Sequence, residues 1–150
     1  MRCGSQRLGT AHSFAEPDAN YKIGPPDDAD SVGLFRVRVR IYNLRDVERA
    51  RELEMVVDTG ATYSVVPREV AEDLGIPATQ ERVFVLADGR RMTRRLGPAG
   101  FAYDGREAAS LVVLGEAEDV PLLGAVALEE LGFEVDPIGK ALRPATQFLL

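Results

Sequence analysis

The chain has one cysteine, Cys3, and one histidine, His12, both near its start. A single cysteine excludes an internal disulfide framework and a thiolate metal cluster. With one histidine, a Ser-His-Asp triad, a Cys-His pair or a histidine zinc site would all depend on a segment poor in large apolar residues, and none is expected. No apolar run approaches the ~20 residues of a membrane helix. The opening segment also lacks the apolar centre of a signal peptide. The formal net charge is −6, so nucleic-acid binding has no electrostatic support. Arg90, Arg91, Arg94 and Arg95 are a local exception, read here as the solvated face of a hairpin. Together these absences imply a soluble, reduced, cytoplasmic protein with no metal, cofactor, membrane or nucleic-acid partner.

Residues 1–31 are rich in Gly, Pro, Asp and Ser and end in Pro25-Pro26-Asp27-Asp28-Ala29-Asp30. Such a segment buries too little apolar surface to repay its ordering, so it is expected to be flexible, leaving 32–150 as one domain. From Leu34 the pattern changes. Phe35, Val37, Val39 and Ile41 alternate with Arg36, Arg38 and Arg40. Period two over this length predicts a half-buried strand. The charged stretch 44–52 is expected to turn the chain, and Leu53–Val57 to form the next strand. Val65-Val66 reads as a short return strand. Pro67 suits a first helical position and Gly75 a helix stop, which predicts a helix over 67–74. Asp88-Gly89 and Asp104-Gly105 are hairpin signals, joining strands at 82–86 and 90–95 and at 96–103 and 106–114. Leu122-Leu123-Gly124 reads as another strand, 127–131 as a short helix ended by Gly132, and 133–136 with 141–143 as a last hairpin. Many short strands, two small helices and repeated turns predict an all-β, closed-barrel-like fold.

One carboxylate stands out. Met55-Val56-Val57 runs directly into Asp58-Thr59-Gly60-Ala61-Thr62, and Tyr63-Ser64-Val65-Val66 returns. This puts an acid in a tight turn at a strand end. Asp-x-Gly is also an ordinary β-turn, since Asp bonds its own backbone and Gly accepts positive φ. The order of the surrounding elements weighs against that plain reading.

Asp58-Thr59-Gly60-Ala61-Thr62 between apolar strands resembles the active-site motif of retropepsin-like aspartic proteases. Leu122-Leu123-Gly124 followed by a short helix resembles the family's second motif, which packs around the catalytic loop. Arg82–Arg91, with Ala87-Asp88-Gly89 at its turn, stands where the family places a flap. The likeness covers roughly residues 33–143 and is closest to bacterial and cellular single-domain members. It departs at Thr62 and Ala125, where viral members carry an acid and an arginine whose salt bridge supports the dimer.

The resemblance implies the acid protease fold and an aspartic endopeptidase acting as a homodimer. Two carboxyls sharing one proton are needed, one to draw a proton from water and one to polarise the scissile carbonyl. This chain has one Asp-Thr-Gly, so the second acid would come from a second copy, with Asp58 facing its twin. By the same resemblance Thr59 would brace the two loops across the axis, while Gly60 and Ala61 would support them. Leu86, Ala87, Asp88 and Gly89 would cover an extended peptide or protein substrate, and Thr62, Val65, Leu86 and Leu123 would contact its side chains. Ala61 stands where pepsins usually carry serine, which removes a hydrogen bond to the acid pair and predicts a mildly acidic optimum. The rival readings are a catalytically silent dimerisation or peptide-binding module and, more remotely, a phosphate-handling hairpin.

Overall fold

The computed structural model describes residues 34–149. The segment 1–31, with Cys3 and His12, lies outside the described residues. The first hairpin is β1 (Arg36–Asn43) and β2 (Asp46–Val57). Along β1, Val39 and Ile41 are buried while Arg36 and Arg38 are exposed, as the period-two pattern requires. The stretch 44–52 differs from expectation. Only Leu44 and Arg45 turn, and 46–52 continues β2 outward, paired with β1 from Arg36↔Val56 to Tyr42↔Ala50. This outer half of β2 rests on the core with neither face, so hydrophobic alternation is silent there. Its backbone is paired along one edge by β1, and Arg38 reaches Glu54 at 3.2 Å and Glu52 at 3.8 Å across the exposed face.

Next come β3 (Ser64–Val66) and α1 (Arg68–Leu74). Pro67 caps α1 from outside rather than opening it, because its ψ of 153° is extended. Gly75, at φ 66°, ends the helix as expected, and Val70, Ala71 and Leu74 face inward. The chain then forms β4 (Gln80–Val85), β5 (Arg91–Tyr103) and β6 (Arg106–Leu114). The separate strands expected at 90–95 and 96–103 are one strand of 13 residues. Its first half pairs with β4, and Gly100–Ala102 pairs with β1. At that seam the ring of Tyr42 lies over Gly100, where an added Cβ would fall 2.2 Å from Tyr42 Cε2. The remaining elements are β7 (Leu122–Leu123), α2 (Ala125–Leu131), β8 (Phe133–Asp136) and β9 (Ala141–Pro144).

The strand order β1-β2-β7-β3-β6-β5 returns to β1 through the β1–β5 pairing, which closes a barrel. β4 hangs on β5 outside that ring, and β8 with β9 forms a separate small sheet. The described residues therefore form an all-β barrel with two short helices. Its main core gathers Val39, Ile41, Met55, Phe101 and Leu123 with the inner faces of α1 and α2. A second apolar cluster joins Ala61, Val65, Leu86, Met92, Leu96, Val113 and Leu122. Leu122 and Leu123 thus point into different clusters from one two-residue strand, because successive strand side chains alternate faces.

Candidate active site

The loop 58–63 connects β2 to β3, yet these strands are not neighbours. β7 lies between them, parallel to β2 (Val57↔Leu123) and antiparallel to β3 (Val65↔Leu122). The loop therefore straddles a strand inserted from far along the chain. Backbone bonds fix it there. Asp58 N–H donates to Leu123 O at 3.0 Å, and Ala61 N–H to Asp58 O at 3.1 Å. The carbonyls of Ala61 and Thr62 accept the N–H groups of Ala125 and Val126 at 2.8 and 3.0 Å. These amides open α2, have no side-chain cap, and would otherwise lack partners.

Two further residues complete this clamp. The buried Ser64 accepts the Gly124 N–H on Oγ at 2.9 Å. Gly124 is needed because the loop passes so close. A Cβ there would lie 2.7 Å from the Tyr63 carbonyl and 2.9 Å from Ala61 O, all backbone. Sequence reasoning singled out Gly124 as part of a motif but missed Ser64. The available signal was a lone hydroxyl inside the apolar run Tyr63-Ser64-Val65-Val66.

The clamp presents Asp58 at the surface, half-buried, with Oδ1 accepting the Gly60 N–H at 2.9 Å. Thr59, Gly60 and Thr62 are exposed around it, whereas Ala61 turns inward. The Ala61 methyl packs in the second apolar cluster with Leu86, from the turn of the β4–β5 hairpin. That turn is closed by Leu86 N–H to Arg90 O at 2.8 Å and Gly89 N–H to Leu86 O at 2.9 Å. Ala87, Asp88 and Gly89 are exposed at its tip. The hairpin expected to act as a flap thus shares an apolar cluster with the Asp58 loop.

Some expected contacts are corrected. Leu123 is 0% exposed and belongs to the main core, so its side chain lines no open pocket. Its contribution to the loop is the carbonyl that receives the Asp58 amide. Val65 and Leu86, at 2% and 4% exposure, are buried in the second apolar cluster and leave little surface to solvent. Apolar surfaces that can reach one another leave water together. The arginine cluster divides likewise. Arg91 and Arg95 are exposed as expected, but the Arg90 and Arg94 side chains are only 17% and 10% exposed. Burial pushes the Arg90 guanidinium below its ordinary value, and Asp88 Oδ2 lies 3.1 Å from its Nε.

Beside the loop, Arg82 donates to the Tyr63 hydroxyl and stands over the Tyr63 ring, while Phe84 meets that ring edge-on. Neither contact was legible from spacing. Among the described residues no three His, Cys, Asp or Glu side chains form a group that would hold a metal ion. No helix among them is long and apolar enough to cross a membrane.

No curated protein and no solved structure matches this chain. A family model for aspartyl proteases matches residues 37–124, more than half of the sequence, from Val37 in β1 to Gly124, the residue before α2. The match takes in the Asp58 loop, β7 and the hairpin between them, and the chain belongs to the retropepsin-like aspartyl protease family.

Proposed function

We propose that the protein is a homodimeric aspartic endopeptidase in which Asp58 of each copy supplies half of the catalytic pair. The observation that carries this reading is the placement of one carboxylate on a loop whose backbone is clamped from behind, while its front edge, Thr59, Gly60 and Thr62, is left exposed. A rigid mount and an open front are what a paired acid needs. Two carboxyls ~3 Å apart cannot both ionise cheaply, so the pair holds one proton and titrates as a unit. The ionised member takes a proton from a bound water, which attacks the scissile carbonyl. The protonated member hydrogen-bonds the carbonyl oxygen as charge develops there. Thr59 braces the two loops across the axis.

The substrate lies extended beneath the β4–β5 hairpin, adding main-chain bonds as a further strand. Leu86 and the exposed tip Ala87-Asp88-Gly89 close over it, and Thr62 borders the path. Closure excludes water and fixes the peptide for attack. Leu86 and Val65 offer apolar surface once the hairpin lifts, which favours apolar residues beside the cut.

The test combines sedimentation and peptide cleavage across about pH 4–7, where a shared-proton pair of this kind works. The wild type is expected to sediment as a dimer and to cut peptides best at mildly acidic pH. Asp58→Asn is expected to keep the dimer mass and lose roughly a thousandfold or more in rate. Cleavage by a strict monomer, or undiminished cleavage by Asp58→Asn, would overturn the proposal. A dimer that binds peptide without cutting it would establish the silent module instead.

A further inference from the structure

A cavity of about 510 Å³ opens between α1 and the root of the β4–β5 hairpin, away from the residues of the Asp58 loop. Its apolar lining includes Ala71, Ile76 and Leu114. Arg94, on β5, forms part of its wall, and only a tenth of that side chain is exposed. The polar contacts of Arg94 are few and long. Nη1 lies 3.5 Å from the Thr93 carbonyl and 3.8 Å from Glu116 Oε2, and the buried Nε has no partner. A guanidinium taken out of water needs acceptors, and one left short costs folding energy without return.

The acceptors at this point are unevenly shared. Glu116 Oε1 is already held by Arg68, from the first turn of α1. One carboxylate therefore serves two guanidiniums, and the nearer of them is not the buried one. Glu72 and Glu81 also line the cavity, but neither comes within ion-pairing distance of Arg94. The lining as a whole is balanced, with Arg68, Arg94 and Arg95 against Glu72, Glu81 and Glu116, so what is short is an acceptor within reach of Arg94, beside an apolar wall. A doubly charged phosphate would upset that balance more than a monoanion does. A singly charged carboxylate with an aliphatic stem meets both requirements, because its oxygens match the guanidinium edge and its carbons cover the apolar wall.

We propose that this cavity binds an aliphatic carboxylate, with Arg94 as its anchor. The carboxylate belongs either to a small free acid or to the end of a peptide chain. Occupancy would tie β5 to α1 and stiffen the hairpin at its root. The site does not depend on the proteolytic reading, because its test measures binding.

The experiment titrates the full chain with butyrate, inorganic phosphate and butylammonium at constant ionic strength. It follows the Arg94 Nε–H resonance and the thermal midpoint. Butyrate is expected to shift the resonance saturably and raise the midpoint, with phosphate weaker and butylammonium inert. Arg94→Gln is expected to weaken butyrate binding about tenfold or more, as loss of a charge-assisted hydrogen bond does, while Arg91→Gln, at an exposed position outside the lining, leaves it unchanged. An N-acetyl dipeptide with a free carboxyl terminus, compared with its amide, separates a chain end from a free acid. No saturable shift in the wild type, or a response to phosphate equal to that to butyrate, would overturn the assignment. Since these readouts use the wild-type protein, the assignment stays refutable even where Arg94→Gln fails to fold.

Discussion

The Asp58 loop and the β4–β5 hairpin meet where Arg82 and Phe84 contact Tyr63, and they are held by different means. The loop is clamped through its backbone by β7 and α2, with Ser64 and Gly124 completing the contact. The hairpin is paired along one edge only, with β4 outermost and its Val83 and Val85 more than half exposed. Backbone groups buried against one another leave no low-energy alternative arrangement, whereas a strand paired on one side opens at modest cost. The proposed function, with a catalytic mount and a moving cover, calls for that division.

Three measurements test that difference, and a fourth probes a seam elsewhere in the barrel. The largest effect is expected from Gly124→Ala. Its new methyl meets backbone atoms of Tyr63 and Ala61 at 2.7–2.9 Å, which cannot retreat without moving the loop. Overpacking of this kind costs about 3 kcal/mol in chemical denaturation, and activity should fall with it. A loss no larger than that of an exposed alanine substitution would show that the loop is not rigidly held.

Ser64→Ala comes second. It leaves the buried Gly124 N–H without its acceptor, worth about 2 kcal/mol. Ser64→Thr is expected to recover most of that stability, since it restores the hydroxyl.

The same glycine-to-alanine change at the hairpin tip gives the third and smaller effect. Gly89 has φ 90° and nothing within 4 Å of an added Cβ. Gly89→Ala therefore costs only backbone strain, about 1 kcal/mol, and hydrogen exchange should show it confined to the hairpin. Equal costs at Gly89 and Gly124 would erase the distinction between mount and cover.

The smallest effect near neutral pH lies at the β1–β5 seam, apart from both regions. Burial, then the hydrogen bond and the negative charge of Glu107, push the Tyr42 hydroxyl above its ordinary value, with Arg40 opposing. The folded protein holds that proton more tightly than the unfolded chain does. The resulting stability is complete below about pH 10 and is lost as pH climbs through the higher folded value. Denaturation curves for the wild type should show this alkaline loss, and Tyr42→Phe should remove it.

Much of the fold was legible in the sequence. Period-two alternation located β1, Asp-Gly pairs located two hairpins, and Gly75 and Gly132 ended the two helices where expected. What failed had a common cause. The outer half of β2 gave no signal because neither of its faces meets the core. The unbroken course of β5 through Gly97 and Pro98 was hidden because its partners change along its length, from β4 to β1. Of the candidate site, the position of Asp58 at a strand end was readable, but the support behind it was only partly so. Ser64 looked like any small strand residue, and Leu123 looked available to a ligand until the alternation of a two-residue strand turned it into the core.

The sequence by itself determined the kind of local structure and the position of one acid in a turn, because alternation, turn residues and helix stops are short-range effects. Tertiary structure alone decided which strand fills the gap between β2 and β3, which arginine is taken out of water, and which apolar side chains seal one another. Those outcomes depend on segments far apart in the chain meeting in one register, and no local pattern carries that information.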